Sequence, residues 1–244
     1  MSETIYAIGD IHGQHELLLD ALSLIEMDGG PDARVISLGD LVDRGPDSRG
    51  VIDTLMNGIN AGRNWTVLLG NHDRMFENFM RTGIISHPKM RPDFTWLHER
   101  LGGLTTLASY GIDATLPEAE LRPLALEAVP EEHRSFLASL PLYAQEGDCV
   151  FVHAGIQPKL PLKWQSEDDL IWIRDAFLNF EEPHEHLVVH GHTAVDAPEH
   201  MGNRVNIDSG AGFGRALTTV AIEGRDVFVL EEDGRIPLTP SPSE

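Results

Sequence analysis

The sequence contains only one cysteine, Cys149, among its 244 residues. A single cysteine excludes a disulfide within the chain and argues against a cysteine-based metal site. No apolar run approaches the roughly 18 residues that a membrane span needs. The first ten residues lack a basic segment followed by an apolar one, so no secretory signal is expected. Together these absences predict a cytoplasmic enzyme or binding protein.

Positive charge is also scarce in this chain. Lys and Arg total 18 against 39 Asp and Glu, which gives a formal net charge of −21. Such a charge repels nucleic acids and anionic membranes, so we expect neither as a partner. The surplus carboxylates either make an acid-rich surface or are partly reserved for cations. The twelve histidines make the second interpretation worth testing.

Hydrophobic periodicity predicts an α/β domain. Short buried strands are expected at 4–8, 34–38 and 65–69 with helical stretches between them, a pattern typical of βαβ units and a largely parallel sheet. Further strands are expected at 149–152, 187–189, 205–207, 217–222 and 227–230. Prolines interrupt the helical pattern of residues 74–145, which we interpret as an insertion over the sheet. We predict one domain over residues 1–234 and a loose tail at 235–244.

Polar motifs follow five of these predicted strands. They are GDIHG at 9–13, GDLVDRG at 39–45, GNHD at 70–73, HAG at 153–155 and HGHT at 190–193. In an open α/β sheet, the loops beyond the carboxyl ends of the strands share one crevice. That crevice would collect Asp10, His12, Asp40, Asn71, His72, His153 and either His190 or His192. Spacing alone does not choose between the last two.

Carboxylate oxygens and imidazole nitrogens together suit first-row divalent metals. Six or seven such groups are too many for one ion and about right for two, the usual apparatus for phosphoester hydrolysis. Seen alone, each motif is more typical of a helix cap, a turn or a packed histidine. The joint occurrence of five motifs, each after a predicted strand, favours the two-metal interpretation.

The five motifs resemble those of the metallophosphoesterase superfamily and, within it, the phosphoprotein phosphatase family. The likeness is to bacterial and phage serine/threonine phosphatases and spans roughly residues 4–222. It implies an α/β/β/α sandwich, in which two mixed β-sheets are flanked by helices and the metals lie at loops along one edge. It also implies a hydrolase that acts on phosphoric monoesters.

The same resemblance implies two divalent ions, with manganese first and iron or zinc as alternatives. The implied ligands are Asp10, His12 and Asp40 for the first ion and, for the second, Asp40 as a bridge with Asn71, His153 and His192. The resemblance selects His192 over His190, because the family ligand is the histidine of GHT. Ala194 stands where many members of the wider superfamily carry another histidine, which again favours the phosphoprotein phosphatase branch.

Chemical roles for the residues beside the metals also follow from the resemblance. A hydroxide bridging the two ions would attack phosphorus in line with the leaving oxygen. His72 would protonate that oxygen as a general acid, and Asp43 would orient and stabilise the imidazolium. Arg44 and Arg174 would bind phosphate oxygens, with Asn71 and His72 alongside.

Ordinary interpretations remain for several other residues. The alternative for Arg174 is a surface ion pair with Asp169 or Asp175. A solvated loop is expected to carry His184, His186 and His190. The glycine-rich GAGFG at 210–214 is expected to form a bend near the site.

The predicted function is that of a metal-dependent serine/threonine protein phosphatase. The nearest alternative is hydrolysis of a dinucleoside polyphosphate, since those hydrolases share the fold and also carry GNHD. In them the aspartate of DRG is typically missing, whereas Asp43 is present here. A catalytically inactive metal-binding scaffold is a third alternative, which the complete ligand and acid set disfavours. The sequence leaves the oligomeric state and the physiological phosphoester open.

Overall fold

Two β-sheets lie face to face at the centre of the structure, and helices cover their outer faces. The structure is a computed structural model that describes residues 4–241. The arrangement is the α/β/β/α sandwich that the resemblance implied, so the predicted fold class is confirmed. Within the described residues, none of the helices combines the length and the apolar character that crossing a membrane requires.

The strands define two mixed sheets. In chain order they are β1 (Ile5–Ile8), β2 (Arg34–Ser37), β3 (Trp65–Val67), β4 (Tyr143–Glu146), β5 (Cys149–Val152), β6 (Leu187–His190), β7 (Glu199–His200), β8 (Arg204–Asn206), β9 (Thr219–Glu223), β10 (Asp226–Glu231) and β11 (Gly234–Pro237). The first sheet has the order β11-β10-β9-β1-β2-β3, and the second has the order β4-β5-β6-β8-β7. Strands β1, β2 and β3 run parallel, as do β5, β6 and β8.

Helices pack on both outer faces. In chain order they are α1 (His15–Gly29), α2 (Ser48–Asn60), α3 (Asn71–Thr82), α4 (Gly103–Ser109), α5 (Glu118–Ala128), α6 (Glu131–Ser139), α7 (Glu167–Trp172) and α8 (Asp175–Leu178). The core of the first sheet and α1 to α6 is one apolar cluster. A second cluster fills the space between the sheets, and a third lies under α7 and α8.

Strand β1 shows why its sequence, IYAI, is apolar throughout. Tyr6 and Ile8 belong to the cluster on the helical side, whereas Ala7 belongs to the cluster between the sheets. Successive side chains of a strand point to opposite faces, and both faces of this strand are buried. A continuous apolar run is therefore required, and it ends where the chain reaches the edge of the sandwich.

The prediction of a largely parallel sheet holds for β1, β2 and β3, on which it rests, but not for the sheet as a whole. Antiparallel pairings join β1 to β9, β9 to β10 and β10 to β11 in the first sheet, and β4 to β5 and β7 to β8 in the second. No sequence pattern predicts β4, β7 or β11. These three strands are sheet edges with few buried side chains, so they lack the apolar periodicity that marks the central strands.

The predicted loose tail at 235–244 is wrong in its first part. Strand β11 covers Gly234–Pro237, and beyond it Leu238 N donates to the carbonyl oxygen of Val227 at 2.8 Å. The last three predicted tail residues, 242–244, lie outside the described residues.

Residues 74–145 contain most of α3 together with α4, α5, α6 and part of β4. Between α3 and α4 the chain runs without regular secondary structure from Gly83 to Gly102. The extent of the domain, 1–234 with a helical insertion, stays a prediction.

Candidate active site

Five loops meet at one edge of the sandwich, each just beyond the carboxyl end of a strand. The buried residues found there are Asp10 and His12 after β1, Asp40 after β2, Asn71 at the start of α3, His153 after β5 and His192 after β6. The loops also hold one another, because the backbone amides of Ile11 and His12 both donate to the carbonyl oxygen of Asp40, at 3.1 and 2.7 Å. The structure thus brings together every residue that the sequence predicts as a ligand.

The backbone of these loops is locally strained. Among residues 4–241, six non-glycine residues have a positive φ, and five of them are predicted site residues. They are His12 (49°), Asp40 (48°), Asp43 (74°), Arg44 (67°) and His192 (66°). A left-handed conformation costs an ordinary residue roughly 1–2 kcal/mol. Strain of this kind clusters where side chains are held for function.

Asp40 lies between two histidines. Its Oδ2 is 3.4 Å from His12 Nε2, and its Oδ1 is 3.4 Å from His153 Nε2. Asp10 is close as well, since one ligand atom each from Asp10, Asp40 and His153 lie within 4.8 Å of one another. Asp40 is therefore one of the residues that could hold a divalent cation together with these histidines.

The two imidazoles present lone pairs to Asp40. His12 Nδ1 lies 3.0 Å from the carbonyl oxygen of Val42, and His153 Nδ1 lies 3.0 Å from that of Leu38. A carbonyl oxygen only accepts, so each ring donates from Nδ1 and keeps its lone pair on Nε2. Burial lowers the pKa of both histidines and so favours this neutral form. Metal-bound histidines usually donate their other N–H in this way.

Asn71 and His192 extend the cluster of acceptors. Asn71 Oδ1 lies 2.9 Å from His153 Nε2 and 2.8 Å from His192 Nδ1. Because His153 Nε2 carries a lone pair, two acceptors face each other there, a contact that a shared cation would stabilise. His192 Nε2 is buried and has no hydrogen-bond partner among the described residues. The donor set therefore fits divalent metal ions.

The carboxylates need compensating positive charge. Burial raises the pKa of Asp10 well above its ordinary value, and the carboxylates of Asp208 and Asp40 add to the effect. Burial also opposes ionisation of Asp40, and the neighbouring imidazoles, led by that of His153, lower its pKa only to the extent that they carry positive charge. Neutral rings do not provide that charge. Two carboxylates this close stay ionised together only beside positive charge, which divalent ions supply.

A hydrogen-bonded unit surrounds His72 next to this cluster. Its Nδ1 lies 2.6 Å from Asp43 Oδ2. Trp96 Nε1 donates to the same oxygen at 2.8 Å, and Thr106 Oγ1 donates to Oδ1 at 2.6 Å. Asp43 is 0% exposed, and these three side chains occupy both of its carboxylate oxygens. The unit fixes the ring through Nδ1 and leaves Nε2 for the cavity that His72 lines.

Arg44 lines the same cavity, whose volume is about 250 Å³. Its Nη1 donates to His12 Nε2 at 2.5 Å, and its Nη2 lies 3.2 Å from His72 Nε2. The guanidinium carbon is 4.5 Å from the ring centre of Phe213. The lone pair of His12 thus faces a positive group, and the aromatic ring restricts where the guanidinium can move.

Arg174 lies at another wall of this cavity. Its Nη1 donates to Thr193 Oγ1 at 2.9 Å. Within residues 4–241 it forms no ion pair with Asp169 or Asp175, so the alternative of a surface ion pair is not found. Both arginines of the predicted phosphate site therefore face one space.

His190 lies apart from the cluster of acceptors. It belongs to β6 and is fully buried, its ring packs edge-on against Phe177, and its Nε2 is 3.5 Å from Arg204 Nη1. The prediction of a solvated loop is therefore wrong for His190. Its omission from the predicted ligand set is consistent with these contacts.

The bend predicted at 210–214 is found beside the site. Gly212 lies in the 3-10 turn Ala211–Phe213, and a Cβ there would come 2.6 Å from His12 Cδ2 and 2.9 Å from Arg44 Cδ. Only glycine lets this backbone pack so closely against both side chains.

Two buried aspartates of the site are not singled out by the sequence interpretation. Asp73 accepts hydrogen bonds from Gly70 N at 2.9 Å and Leu41 N at 2.8 Å, and so joins the loops after β2 and β3. Burial, reinforced by Asp40, raises the pKa of Asp73 to about 8. Asp208 follows β8 just as the predicted ligands follow their strands, so the same pattern could have identified it.

Comparison with known proteins identifies the family. Residues 3–214 match the calcineurin-like phosphoesterases. The chain belongs to this family. As a calcineurin-like phosphoesterase it is a hydrolase of phosphoesters, and its histidine and aspartate groups are able to bind metal ions. The recognition made from the five motifs is confirmed.

Relatives of this phosphoesterase act on different substrates. An asymmetrical bis(5'-nucleosyl)-tetraphosphatase from Anoxybacillus flavithermus is 26% identical over 87% of this chain and 88% of that protein. Serine/threonine-protein phosphatase 1 from Salmonella typhimurium is also 26% identical, over 90% of this chain and 92% of the phosphatase. The crystal structure of a cold-active protein-tyrosine phosphatase from a Shewanella species is similar with a TM-score of 0.64, over 98% of this chain and 81% of that chain. The sequences are 16% identical, so this similarity concerns the fold alone.

Proposed function

We propose that this phosphoesterase is a metal-dependent serine/threonine protein phosphatase. The observation that carries the proposal is the His72–Asp43 pair, 2.6 Å apart, at the wall of a cavity that two arginines and the acceptor cluster share. A phosphoserine has a poor alkoxide leaving group, so its hydrolysis gains from a positioned proton donor. The Salmonella relative, a serine/threonine-protein phosphatase, supports the same activity.

Two divalent ions are part of the proposal, with manganese as the first choice and iron or zinc possible. The residues that would hold them are Asp10, His12 and Asp40 for one ion and Asp40, Asn71, His153 and His192 for the other. When bound, such ions lower the pKa of water toward neutrality and so supply hydroxide as the nucleophile. Their positive charge would also keep the buried carboxylates ionised.

The side chains around the cavity would bind the phosphoryl group and protonate the leaving oxygen. Arg44 and Arg174 would bind phosphoryl oxygens through charge-assisted hydrogen bonds and hold phosphorus in line for attack. His72 would transfer its Nε2 proton to the leaving oxygen as the bond between phosphorus and that oxygen breaks. Asp43 would stabilise the imidazolium and keep the ring turned toward the cavity.

A second candidate is hydrolysis of a dinucleoside polyphosphate. The Anoxybacillus relative, a bis(5'-nucleosyl)-tetraphosphatase, favours it. Asp43 argues against it, because the family resemblance implies that dinucleoside polyphosphate hydrolases typically lack the aspartate of the DRG motif. An inactive metal-binding scaffold has less support, because the acid unit and both arginines accompany the acceptors.

Steady-state rates on three substrates would test the proposal. With manganese present, we expect the highest kcat/KM on a phosphoserine peptide, a lower value on p-nitrophenyl phosphate and the lowest on diadenosine tetraphosphate. A higher kcat/KM on diadenosine tetraphosphate than on the peptide would replace the first candidate with the second. If none of the three substrates were hydrolysed, the phosphatase proposal would be contradicted and the inactive metal-binding scaffold would be favoured.

A cytoplasmic setting belongs to the same proposal. It rests on Cys149, which is buried and is the only cysteine of the sequence, so the chain cannot form an internal disulfide. Fractionation of the source cells would test it, and recovery in an extracellular fraction would contradict it.

A further inference from the structure

The charge of the cavity wall is opposite to that of the chain. The net charge is −21 and the sequence has only three lysines, yet four cationic side chains line this one cavity. They are Arg44, Lys89, Arg91 and Arg174. Among the lining residues in the described part of the chain, Asp40 is the only acid. Lys89 and Arg91 come from the irregular stretch between α3 and α4 and have no role in the chemistry proposed above.

Both of these cations remain available to a ligand. Lys89 is exposed and has no acidic partner within ion-pair distance among residues 4–241. Arg91 pairs with Asp93 at 3.2 Å, but both side chains are more than half exposed, and such pairs contribute little. The Arg91 guanidinium carbon lies 4.7 Å from the ring centre of Phe94, which also lines the cavity. This stacking holds the guanidinium over the wall.

The segment that carries the two cations is anchored to the active site. The ring of His87 stacks on that of Trp172 with 4.7 Å between centres and 5° between planes. Trp172 in turn lies edge-on to His192, with 6.1 Å between ring centres. Farther along the segment, Trp96 N donates to Ile85 O at 2.6 Å, and its indole holds Asp43. Lys89 and Arg91 are therefore positioned beside the acid and the acceptor cluster.

The number of charges points to a substrate with more than one anionic group. Two bound metal ions, together with Arg44 and Arg174, would already suffice to neutralise a single phosphomonoester. A strongly acidic chain also repels acidic substrates unless a local patch of opposite charge attracts them. We propose that Lys89 and Arg91 bind a second anionic group, a phosphate or a carboxylate, next to the scissile phosphate. This inference rests on the proposed function and makes acidic phosphopeptides the preferred substrates.

Competition against p-nitrophenyl phosphate measures this preference without requiring that the peptides be cleaved. Three phosphoserine peptides would differ only beside the phosphoserine, with alanine, glutamate or a second phosphoserine there. We expect the wild-type enzyme with manganese to bind both doubly anionic peptides more tightly than the alanine peptide. Lys89→Ala and Arg91→Ala should each reduce this preference by about fivefold, the effect of one exposed charge pair. Raising the salt concentration should reduce it as well.

Matched variants complete the test. Lys163→Ala removes an exposed lysine away from the cavity and should keep the preference, and Lys89→Arg should keep most of it. Equal inhibition constants for the three peptides in the wild type, or an unchanged preference in a Lys89→Ala, Arg91→Ala double variant, would overturn the inference. Phosphate release from the same peptides separates the two proposals. Tight binding of acidic peptides without any release would contradict the phosphatase function and leave the anionic subsite supported.

Discussion

Replacing Asp43 with asparagine separates its charge from its shape. The Asp43 carboxylate accepts hydrogen bonds from His72 and Trp96 at Oδ2 and from Thr106 at Oδ1. An asparagine can keep its oxygen toward the two ring N–H groups, because a threonine hydroxyl can accept from the amide NH₂ on the other side. We therefore expect Asp43→Asn to fold and to keep its metal ions while it loses the negative charge beside His72.

The magnitude follows from the buried contact that changes. A hydrogen bond to a charged group contributes about 1.5–3 kcal/mol, and the 2.6 Å contact with a fully buried carboxylate belongs in that range. If the charge stabilises the imidazolium only, kcat on a phosphoserine peptide should fall by about 10- to 150-fold. His72→Asn removes the acid itself and should cost about 10²–10⁴-fold.

The assay compares leaving groups. Nitrophenolate is a much weaker base than a serine alkoxide and needs a proton less, so both variants should slow p-nitrophenyl phosphate less than the peptide. Metal analysis of the same samples serves as the control, since His72 is also close enough to His12 and Asp40 to join a metal site. Equal slowing of both substrates, or loss of a metal ion in His72→Asn, would refute the general-acid role.

Further predictions concern the metals and the C-terminal strand. Metal analysis under saturating manganese should find two ions per chain, and one or none would contradict the binuclear site. His192→Ala should lose the second ion whereas His190→Ala should keep most metal, and equal losses would mean that the GHT loop is wrongly assigned. Arg235 donates to Asp28 at 2.7 Å and lowers its pKa. That stabilisation exists at neutral pH and is lost as the pH falls through the lowered pKa. Arg235→Ala should thus lower Tm by about 2–4 °C at pH 7 and by progressively less as the pH falls through the lowered pKa of Asp28. An equal loss over the whole pH range would show that packing, and not charge, carries the contact.

The sequence predicts the centre of the site well because two signals agree. The motifs carry metal-binding residue types, and each motif follows a strand whose carboxyl end is expected at the shared crevice. All predicted ligands except Asn71 follow central, buried strands, and Asn71 follows the short edge strand β3, whose apolar run continues into the buried Leu68 and Leu69. The carboxyl ends of these parallel strands meet at one edge of the sandwich. The other edge strands escape prediction for the opposite reason, since β4, β7 and β11 bury little apolar surface. His190 is misplaced because the polar run at 181–186 is taken to extend to it, whereas the apolar residues 187–189 that directly precede it form β6 and carry it into the interior.

Two hydrogen-bond partners of Asp43 could not be predicted from positions at the ends of strands. Trp96 and Thr106 lie 53 and 63 residues farther along the chain, and neither follows a strand, so no local spacing indicates the contact. The same insertion supplies these two partners of Asp43 and two of the four cations of the cavity wall, Lys89 and Arg91. A change that shifts Trp96 would therefore disturb proton donation and recognition of the second anion together. Trp96→Phe removes the indole N–H while keeping an aromatic ring, so it should lower kcat less than Asp43→Asn does and leave the preference for acidic peptides in place. Loss of that preference in Trp96→Phe would mean that the wall is held by the hydrogen bond to Asp43, and not by the stacking of His87 on Trp172.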